Sequence, residues 1–318
     1  MSHTKRLSDI AAPSVAAVGP ASAHALYPVL DEINAITGAK WQVGTFLAGG
    51  FQSGAWQIHD GALLAVLKLG APGWASRVLG AAALVASARA AGYPTPSWHA
   101  AGVLRDGRSY SIQEFVTGDA PTSLDPPTAE IILDLTHAQR RIRLPTSIDW
   151  SQYSRDVVFQ HLRQESPLGQ LGGSSAAVAN AVRTLGERYE SALLPNDEMV
   201  HGDLNISNMV CANGQLAGVI DIEAIGRGCA VFDLLKPALQ ASVWGDKSSC
   251  AEVLETAALE RYDIGPVMIT SGALVMDLLT FGATHWDPPD MEPVAHACLG
   301  WFYRLERQAL GRGRATGG

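Results

Sequence analysis

The chain contains little cysteine and little charge, and it lacks a long uninterrupted apolar run. Only 4 of its 318 residues are cysteine, and no two have the CxxC spacing of a zinc or redox site. We therefore expect four reduced thiols in a cytoplasmic protein. No run of about 18 apolar residues occurs, so we expect no transmembrane helix and no membrane partner.

The few charges are unevenly distributed along the chain. Residues 1–116 contain 8 Lys and Arg against 6 Asp and Glu, whereas residues 117–318 contain 15 against 25. An acidic second part disfavours nucleic acid, whose phosphates need cationic side chains. It favours a small cationic molecule, although a charge that serves only solubility gives the same pattern.

The hydrophobic patterns predict a β-rich first part and a helical second part. Three strands, with glycines between the first two, are expected in residues 41–69, and another hairpin follows an Ala-rich helix. Beyond Gly118 the pattern is mostly helical, apart from short strands within 199–223. The expected boundaries are an N-terminal lobe at 1–113, a hinge at 114–118 and a C-terminal lobe at 119–318, with 1–24 as a loose tail rather than a signal peptide.

The stretch "HGDLNISNMV" places an Asp and an Asn on a polar loop between apolar runs. An Asn-Gly turn signal follows, and then the apolar run "LAGVI", so a hairpin would return Asp221 to the loop. Oxygen ligands from Asn208 and Asp221 suit Mg²⁺, which keeps its other positions for phosphate and water. Asp203 is left to accept a proton from an attacking hydroxyl, as phosphoryl transfer requires.

A cation for the phosphates is expected in the N-terminal lobe. Lys68 lies in "AVLKL", and a lone lysine at the end of a buried strand is costly unless it meets an anion. The glycines of "GGFQSGAW" would let the backbone approach the same phosphates closely. The expected contacts in that turn are Gly49, Gly50, Ser53 and Gly54.

The stretches "HGDLNISN", "VIDIE" and "FDLL" together resemble the signature of the aminoglycoside phosphotransferase and choline kinase family, over about residues 25–305. The resemblance implies an α+β, protein-kinase-like bilobal fold, with a small antiparallel β-sheet N-lobe that binds nucleotide and a large, mainly helical C-lobe. It implies ATP or GTP as the donor and Mg²⁺ as the metal. Asp203 would be the catalytic base, Asn208 and Asp221 would hold Mg²⁺, and Lys68 would bind the α- and β-phosphates.

Two further roles follow from the same resemblance. The stretch "SIQEFVTG" is similar to the segment that binds adenine through its backbone. The carbonyl of Gln113 and the amide of Phe115 would make the hydrogen bonds, and Ile112 would line the pocket. Asp233, in "FDLL", would brace the catalytic loop.

One feature of the family is missing from this sequence. The family pairs the strand lysine with a glutamate on the following helix, but no Asp or Glu occurs between Lys68 and Gly92. Either another group supports Lys68, or the lysine relies on nucleotide alone, or the expected helix position is wrong. A nucleotide-binding pseudokinase with little transfer activity is therefore one alternative.

In the family, the acceptor binds to helices that follow the metal-binding Asp, and acidic residues there suit a cationic acceptor. The stretches "GGFQSGAW" and "VIDIEAIG" resemble antibiotic phosphotransferases that act on aminoglycosides or on basic cyclic peptides such as viomycin and capreomycin. We expect phosphorylation of a hydroxyl of such an antibiotic, which would confer resistance; a metabolic kinase for choline, an amino-alcohol or a sugar is the alternative. The candidate acceptor contacts are Glu223 (or a second metal contact, or a structural group), Asp277, Trp286, Asp287 and Glu292.

Overall fold

The chain is divided into two compact units in the computed structural model. The structure describes residues 23–47, 55–145, 148–163, 168, 172–244, 249–286 and 288–315. The N-terminal unit comprises the described residues within Ser14–Ala120 and Asn208–Ile225. The C-terminal unit comprises those within Pro121–Ser207 and Gly226–Gly318. The predicted tail, apart from its last two residues, lies outside the described residues.

A five-stranded antiparallel sheet forms the centre of the N-terminal unit, in the order β1-β2-β3-β5-β4. Its strands are β1 (Gln42–Leu47), β2 (Ala55–Asp60), β3 (Leu63–Gly70), β4 (Trp98–Val103) and β5 (Ser109–Glu114). Strand β3 is central, with Lys68 opposite Ala55 on one side and Ser111 on the other. Ala65 and Leu67 are buried, so the alternation of a strand places Lys68 on the opposite face from the core.

Two helices flank this sheet. Helix α1 (Ala23–Thr37) buries Leu30 and Ile33 in the same apolar cluster as Ile58 of the sheet. Helix α2 (Ala75–Ala90) contacts β4 and β5. It ends before Gly92, whose positive φ of 89° suits glycine, as the sequence predicts.

The predicted hairpin around Asn213-Gly214 is confirmed, and it is compact with the N-terminal unit, whereas the sequence analysis counts it in the C-terminal lobe at 119–318. Strands β8 (Met209–Ala212) and β9 (Gln215–Val219) pair antiparallel, with Met209 opposite Val219. The turn residues Asn213 and Gly214 both have positive φ, 52° and 74°, which is the conformation that favours Asn-Gly. The chain segments before and after the hairpin, which contain Asn208 and Asp221, are therefore brought close together.

The C-terminal unit is mainly helical. Its helices are α3 (Pro126–Gln139), α4 (Trp150–Arg163), α5 (Gly173–Arg188), α6 (Val231–Val243), α7 (Cys250–Arg261), α8 (Ile264–His285) and α9 (Pro288–Ala315). A short sheet contains β6 (Ile148–Asp149), β7 (Glu198–Val200) and β10 (Gly226–Gly228), with β10 in the middle. An antiparallel sheet in the first part of the chain and helices in the second confirm the predicted α+β class.

Helix α8 forms the core of this unit. It packs against α4, α5, α6 and α9. The window Ile264–Ala283 is long and apolar enough to cross a membrane by length and composition, but 72% of it is buried inside the protein. Its apolar character is therefore explained by packing between helices.

Candidate active site

Lys68, near the end of β3, is held by two carboxylates that follow the hairpin. Its Nζ donates to Oε1 of Glu223 at 2.9 Å and also to Oδ1 of Asp221. Burial alone would lower the pKa of Lys68, but the charges of Glu223 and Asp221 raise it above the ordinary value for lysine. The N-terminal unit therefore contains a fixed ammonium group, the kind of group that binds phosphate.

Glu223 is the more buried of the two acids, with a side chain 20% exposed compared with 39% for Asp221. Gln113 Nε2 donates to its Oε1 at 2.8 Å. Burial opposes ionisation, but Lys68 and the bond from Gln113 lower the pKa of Glu223 below the ordinary value. Glu223 is therefore an oriented anion beside the lysine.

This arrangement answers the question raised by the acid-free helix α2. Another group does support Lys68, and it comes from the segment that follows the hairpin. Helix α2 contributes a cation instead, because Nε of Arg77 donates to the backbone carbonyl of Glu223 at 3.3 Å. Sequence analysis missed Arg77, and the available signal was that the charged residues of this Ala-rich helix are two arginines, Arg77 and Arg89.

Asn208 and Asp221 lie on either side of the hairpin's open end. The amide of Ile220 donates to the carbonyl of Asn208 at 2.8 Å, which ties the two chain segments together. Asp221 has φ 59° and ψ 38°, a left-handed conformation that few residues other than glycine adopt. Such backbone strain is typical of functional positions.

The chemistry of this donor set fits Mg²⁺. An amide oxygen and a carboxylate oxygen are hard ligands, and Mg²⁺ commonly takes one or two protein groups together with phosphates. Among the described residues, His, Cys, Asp and Glu form no cluster of three or more that could hold a metal. A Mg²⁺ ion held by Asn208 and Asp221 would leave its other coordination positions for phosphate and water.

The predicted adenine contacts lie at the end of β5. Ile112 is fully buried, and the side chain of Gln113 contacts Ser111 Oγ at 3.0 Å as well as Glu223. The amide of Phe115 donates to the carbonyl of Leu64 at 3.3 Å. This amide therefore has a partner within the unit, and its role towards adenine stays a prediction.

In the C-terminal unit, Asp233 of helix α6 holds the backbone of the loop that carries Asp203. Its carboxylate accepts from the amide of His201 at 2.5 Å and from the amide of Gly202 at 3.0 Å. Gln139 Nε2 adds a third donor at 2.9 Å. The predicted bracing role of Asp233 is confirmed by these contacts.

Asp203, the predicted base, has an ion pair that sequence analysis missed. Nζ of Lys236 lies 2.5 Å from Oδ1 of Asp203, and the side chains are 23% and 44% exposed. Asn205 Nδ2 lies 3.4 Å from the same oxygen. The available signal was the position of Lys236 in "FDLLKP", three residues after the bracing Asp233 and therefore on the same helix face.

Asp277, a candidate acceptor contact, is connected to this pair through Lys236. The hydroxyl of Tyr153 donates to Asp277 Oδ1 at 2.7 Å. Burial raises the pKa of Asp277 to about 6, against the opposing effects of the Tyr153 bond and the charge of Lys236. A titratable carboxyl thus lies within electrostatic range of the cation that contacts Asp203.

The other candidate acceptor contacts have different surroundings. Trp286 packs edge-on against Trp244 and Phe281, with ring centroids 6.2 and 6.3 Å apart. Glu292 accepts from the amide of Ser174 at 3.0 Å and from its hydroxyl at 2.6 Å, at the first turn of α5. The predicted site residues that lie outside the described residues are Gly49, Gly50, Ser53, Gly54 and Asp287.

Comparisons with known proteins agree with this geometry. The model of the APH phosphotransferase enzyme family matches residues 43–266. A crystal structure of aminoglycoside phosphotransferase APH(4)-Ia has a TM-score of 0.63 and 18% identity over 86% of this chain and 97% of that chain. A thermostable mutant of that enzyme, in a ternary complex with AMP-PNP and hygromycin B, has a TM-score of 0.63 and 17% identity over 87% and 98%.

A third structure is more distant. Aminoglycoside phosphotransferase APH(3'')-Id from Streptomyces rimosus, in complex with ADP and streptomycin, has a TM-score of 0.51 and 19% identity over 79% of this chain and 97% of that chain. A search of curated protein sequences gave no match. The structural likenesses confirm the predicted protein-kinase-like fold.

Proposed function

The chain belongs to the APH phosphotransferase enzyme family, and from that premise we propose that it phosphorylates a hydroxyl of a cationic antibiotic. It is a nucleotide-binding phosphotransferase with an alcohol group as acceptor. The acceptor proposed is an aminoglycoside or a basic cyclic peptide. Relatives crystallised with hygromycin B or streptomycin support an acceptor of this kind, and AMP-PNP and ADP in those structures support ATP as the donor.

The main support for a cationic acceptor is the carboxyl group of Asp277. This carboxyl is half-buried and accepts a hydrogen bond from the hydroxyl of Tyr153. The charge of Lys236 acts on Asp277, and the same lysine forms an ion pair with the predicted base Asp203. Since the pKa of Asp277 is about 6, its carboxyl is ionised at neutral pH and attracts an ammonium or guanidinium group. An acceptor held there would have a cation close to its reactive hydroxyl.

On the nucleotide side, Lys68 would bind the α- and β-phosphates, with Glu223 holding the ammonium in place. The glycine-rich stretch at 49–54, which lies outside the described residues, would cover the phosphates, and the end of β5 would contact adenine through Gln113 and Phe115. Asn208 and Asp221 would hold Mg²⁺, which when bound neutralises charge on the phosphates.

The proposed transfer is in line. The acceptor oxygen forms a bond to the γ-phosphorus, and the bond from that phosphorus to the bridging oxygen breaks, with its electron pair leaving on ADP. The acceptor proton passes to Asp203. The product carries about −1.5 to −2 additional charge, so an antibiotic that binds ribosomal RNA would bind it less well. Resistance and a cytoplasmic location belong to this proposal.

A second candidate is a metabolic kinase for choline, an amino-alcohol or a sugar. The cluster of Trp244, Phe281 and Trp286 favours it, because aromatic faces bind quaternary ammonium groups. Trp301, by contrast, is buried and donates to Glu255 at 2.8 Å, so it is a core residue. The pseudokinase alternative loses its main support because Lys68 has acidic partners.

The test is ADP release from MgATP with a panel of aminoglycosides, basic cyclic peptides, choline and sugars. Stimulation by cationic antibiotics that disappears in Asp203→Asn, with ATP binding retained, is expected. Stimulation by choline or a sugar alone would assign the second candidate. Stimulation by no compound, with ATP still bound, would overturn both.

A further inference from the structure

We infer that Lys236 is a positioning residue for the catalytic base Asp203 and sets the turnover rate. The inference rests on the proposed function, since it requires Asp203 to receive the acceptor proton. Lys236 Nζ lies 2.5 Å from Asp203 Oδ1 within the C-terminal unit. The stretches "HGDLNISN", "VIDIE" and "FDLL" do not include Lys236.

One turn of helix α6 contacts both the backbone and a side chain of the loop that carries Asp203. Asp233 binds the backbone amides of His201 and Gly202, and Lys236 binds the side chain of Asp203. Asp233 and Lys236 are three residues apart and therefore share a helix face. The backbone contacts place the loop, and the side-chain contact selects the direction of the carboxylate.

The helix has an unusual feature immediately after this lysine. Pro237 lies inside α6 and has no amide hydrogen, so the carbonyl of Asp233 loses its ordinary helical donor. The turn that bears Asp233 and Lys236 is therefore defined by its contacts with the loop as well as by the helix. A helix turn whose side chains reach a functional loop provides the rigid support that a reacting group needs.

The solvent exposure of the Lys236–Asp203 ion pair indicates that it orients Asp203 rather than stabilises the fold. The side chains of Lys236 and Asp203 are 23% and 44% exposed. An ion pair this open to solvent contributes little to the stability of the fold, because water screens it. Its effect on a carboxylate that must meet a hydroxyl is larger, since small errors of orientation lower reaction rates steeply.

The charge of Lys236 also acts on the transfer step. As the acceptor oxygen approaches the γ-phosphoryl group, that negatively charged group and the carboxylate of Asp203 repel each other until the acceptor proton neutralises Asp203. A cation already placed beside Asp203 offsets this repulsion without having to move during the reaction. Its removal should therefore lower kcat more than it raises KM for either substrate.

The test compares Lys236→Met with Lys236→Arg in the full chain, by initial rates of acceptor phosphorylation. Lys236→Met is expected to lower kcat about 100-fold, with KM for ATP and acceptor changed less than about 3-fold and Tm within about 3 °C. Lys236→Arg keeps a cation within reach and should restore kcat to within about 10-fold of the unmodified protein. Lys40→Met, an exposed lysine of the N-terminal unit, is the matched control and should behave as the unmodified protein.

Three outcomes would overturn the inference. A kcat for Lys236→Met within about 3-fold of the unmodified value would show that Lys236 has no such role. An equal loss of kcat in Lys236→Met and Lys236→Arg, together with a large fall in Tm, would show a role in stability instead. If no acceptor stimulates ADP release, the proposed function fails, and Lys236 is then judged on slow ATP hydrolysis with water as acceptor. Equal hydrolysis rates in Lys236→Met and the unmodified protein would overturn the inference separately.

Discussion

At the scale of single residues, Glu223 has a role that is normally given to an acid on a helix. It lies two residues after Asp221, so the acid that holds the phosphate-binding Lys68 and the proposed metal ligand lie on one short segment. The position of Lys68 therefore does not depend on an acid from helix α2. Movement of the segment 221–223 should affect both groups together.

Glu223→Gln is expected to raise KM for ATP about 10-fold, because the amide keeps the shape of the carboxylate but loses the charge that fixes Lys68. Steady-state kinetics with ATP as the varied substrate measure this. Glu32→Gln is the matched control, since Glu32 lies in the same unit, pairs with Arg105 at 3.9 Å and is 21% exposed. Equal effects of the two substitutions would contradict the specific role of Glu223.

Asp221→Gly is expected to abolish turnover while leaving the fold stable. Glycine removes the carboxylate but accepts the positive φ of 59° at no steric cost, whereas Asp221→Ala adds strain of about 1–2 kcal/mol. Activity and thermal melting of the two variants together separate loss of a ligand from loss of stability. Near-normal turnover of Asp221→Gly would overturn the metal assignment.

Asp277 predicts a pH dependence of acceptor binding. Its pKa, raised to about 6 by burial, means that the carboxyl is ionised above that pH and neutral below it. KM for a cationic acceptor should therefore rise as pH falls from 7.5 to 5.5, by up to about 5-fold, while KM for ATP changes less. In Asp277→Asn the acceptor KM should be high at every pH in this range, and an unchanged pH profile in that variant would refute the assignment.

At the scale of elements, the hairpin β8–β9 shows which parts of the site can be predicted from the sequence. Its turn has a local signal, Asn213-Gly214, and its ends carry Asn208 and Asp221, so the pairing of those ends follows from turn chemistry. The contact of Lys68 with Glu223 spans 155 residues and has no local signal. The pair of Lys236 with Asp203 spans only 33 residues but requires the direction of a helix face.

The elements themselves were predicted to different degrees. Long helices and alternating strands of the first part have strong periodicity, and the structure contains them within a few residues of their expected ends. The two- and three-residue strands β6 and β10 were not predicted, because so few residues have no measurable period. They are defined by their neighbours in the sheet rather than by their own sequence.

Gly214→Ala tests the hairpin as an element. Gly214 has φ 74°, and an added Cβ would meet no atom within 4 Å, so the cost comes from the backbone alone. That cost is about 1–2 kcal/mol, which corresponds to a fall in Tm of roughly 2–6 °C. Gly80→Ala, at an exposed position of helix α2 with equally open space, should instead leave Tm unchanged or raise it. A fall in Tm of the same size in both variants would refute this explanation.

At the scale of the whole molecule, nucleotide binding should be visible as stability. A ligand present at about 100 times its Kd adds about 2.7 kcal/mol to the free energy of unfolding. MgATP should therefore raise Tm by roughly 5–10 °C, as measured by differential scanning fluorimetry. Asp221→Gly should lose the part of this rise that depends on Mg²⁺, and an identical rise with and without Mg²⁺ in the unmodified protein would contradict a metal held by Asn208 and Asp221.

The segment 208–225 limits how genes of this kind can exchange their parts. Although it lies in sequence between the two parts of the C-terminal unit, Pro121–Ser207 and Gly226–Gly318, it is compact with the N-terminal unit, and it supplies both acids that hold Lys68. A crossover near residue 120 would combine the strand that carries Lys68 from one parent with Asp221 and Glu223 from the other parent. The ion pairs of Lys68 would then form between residues of different parents. Viable chimeras should therefore carry two inherited blocks, 1–120 and 208–225, from the same parent.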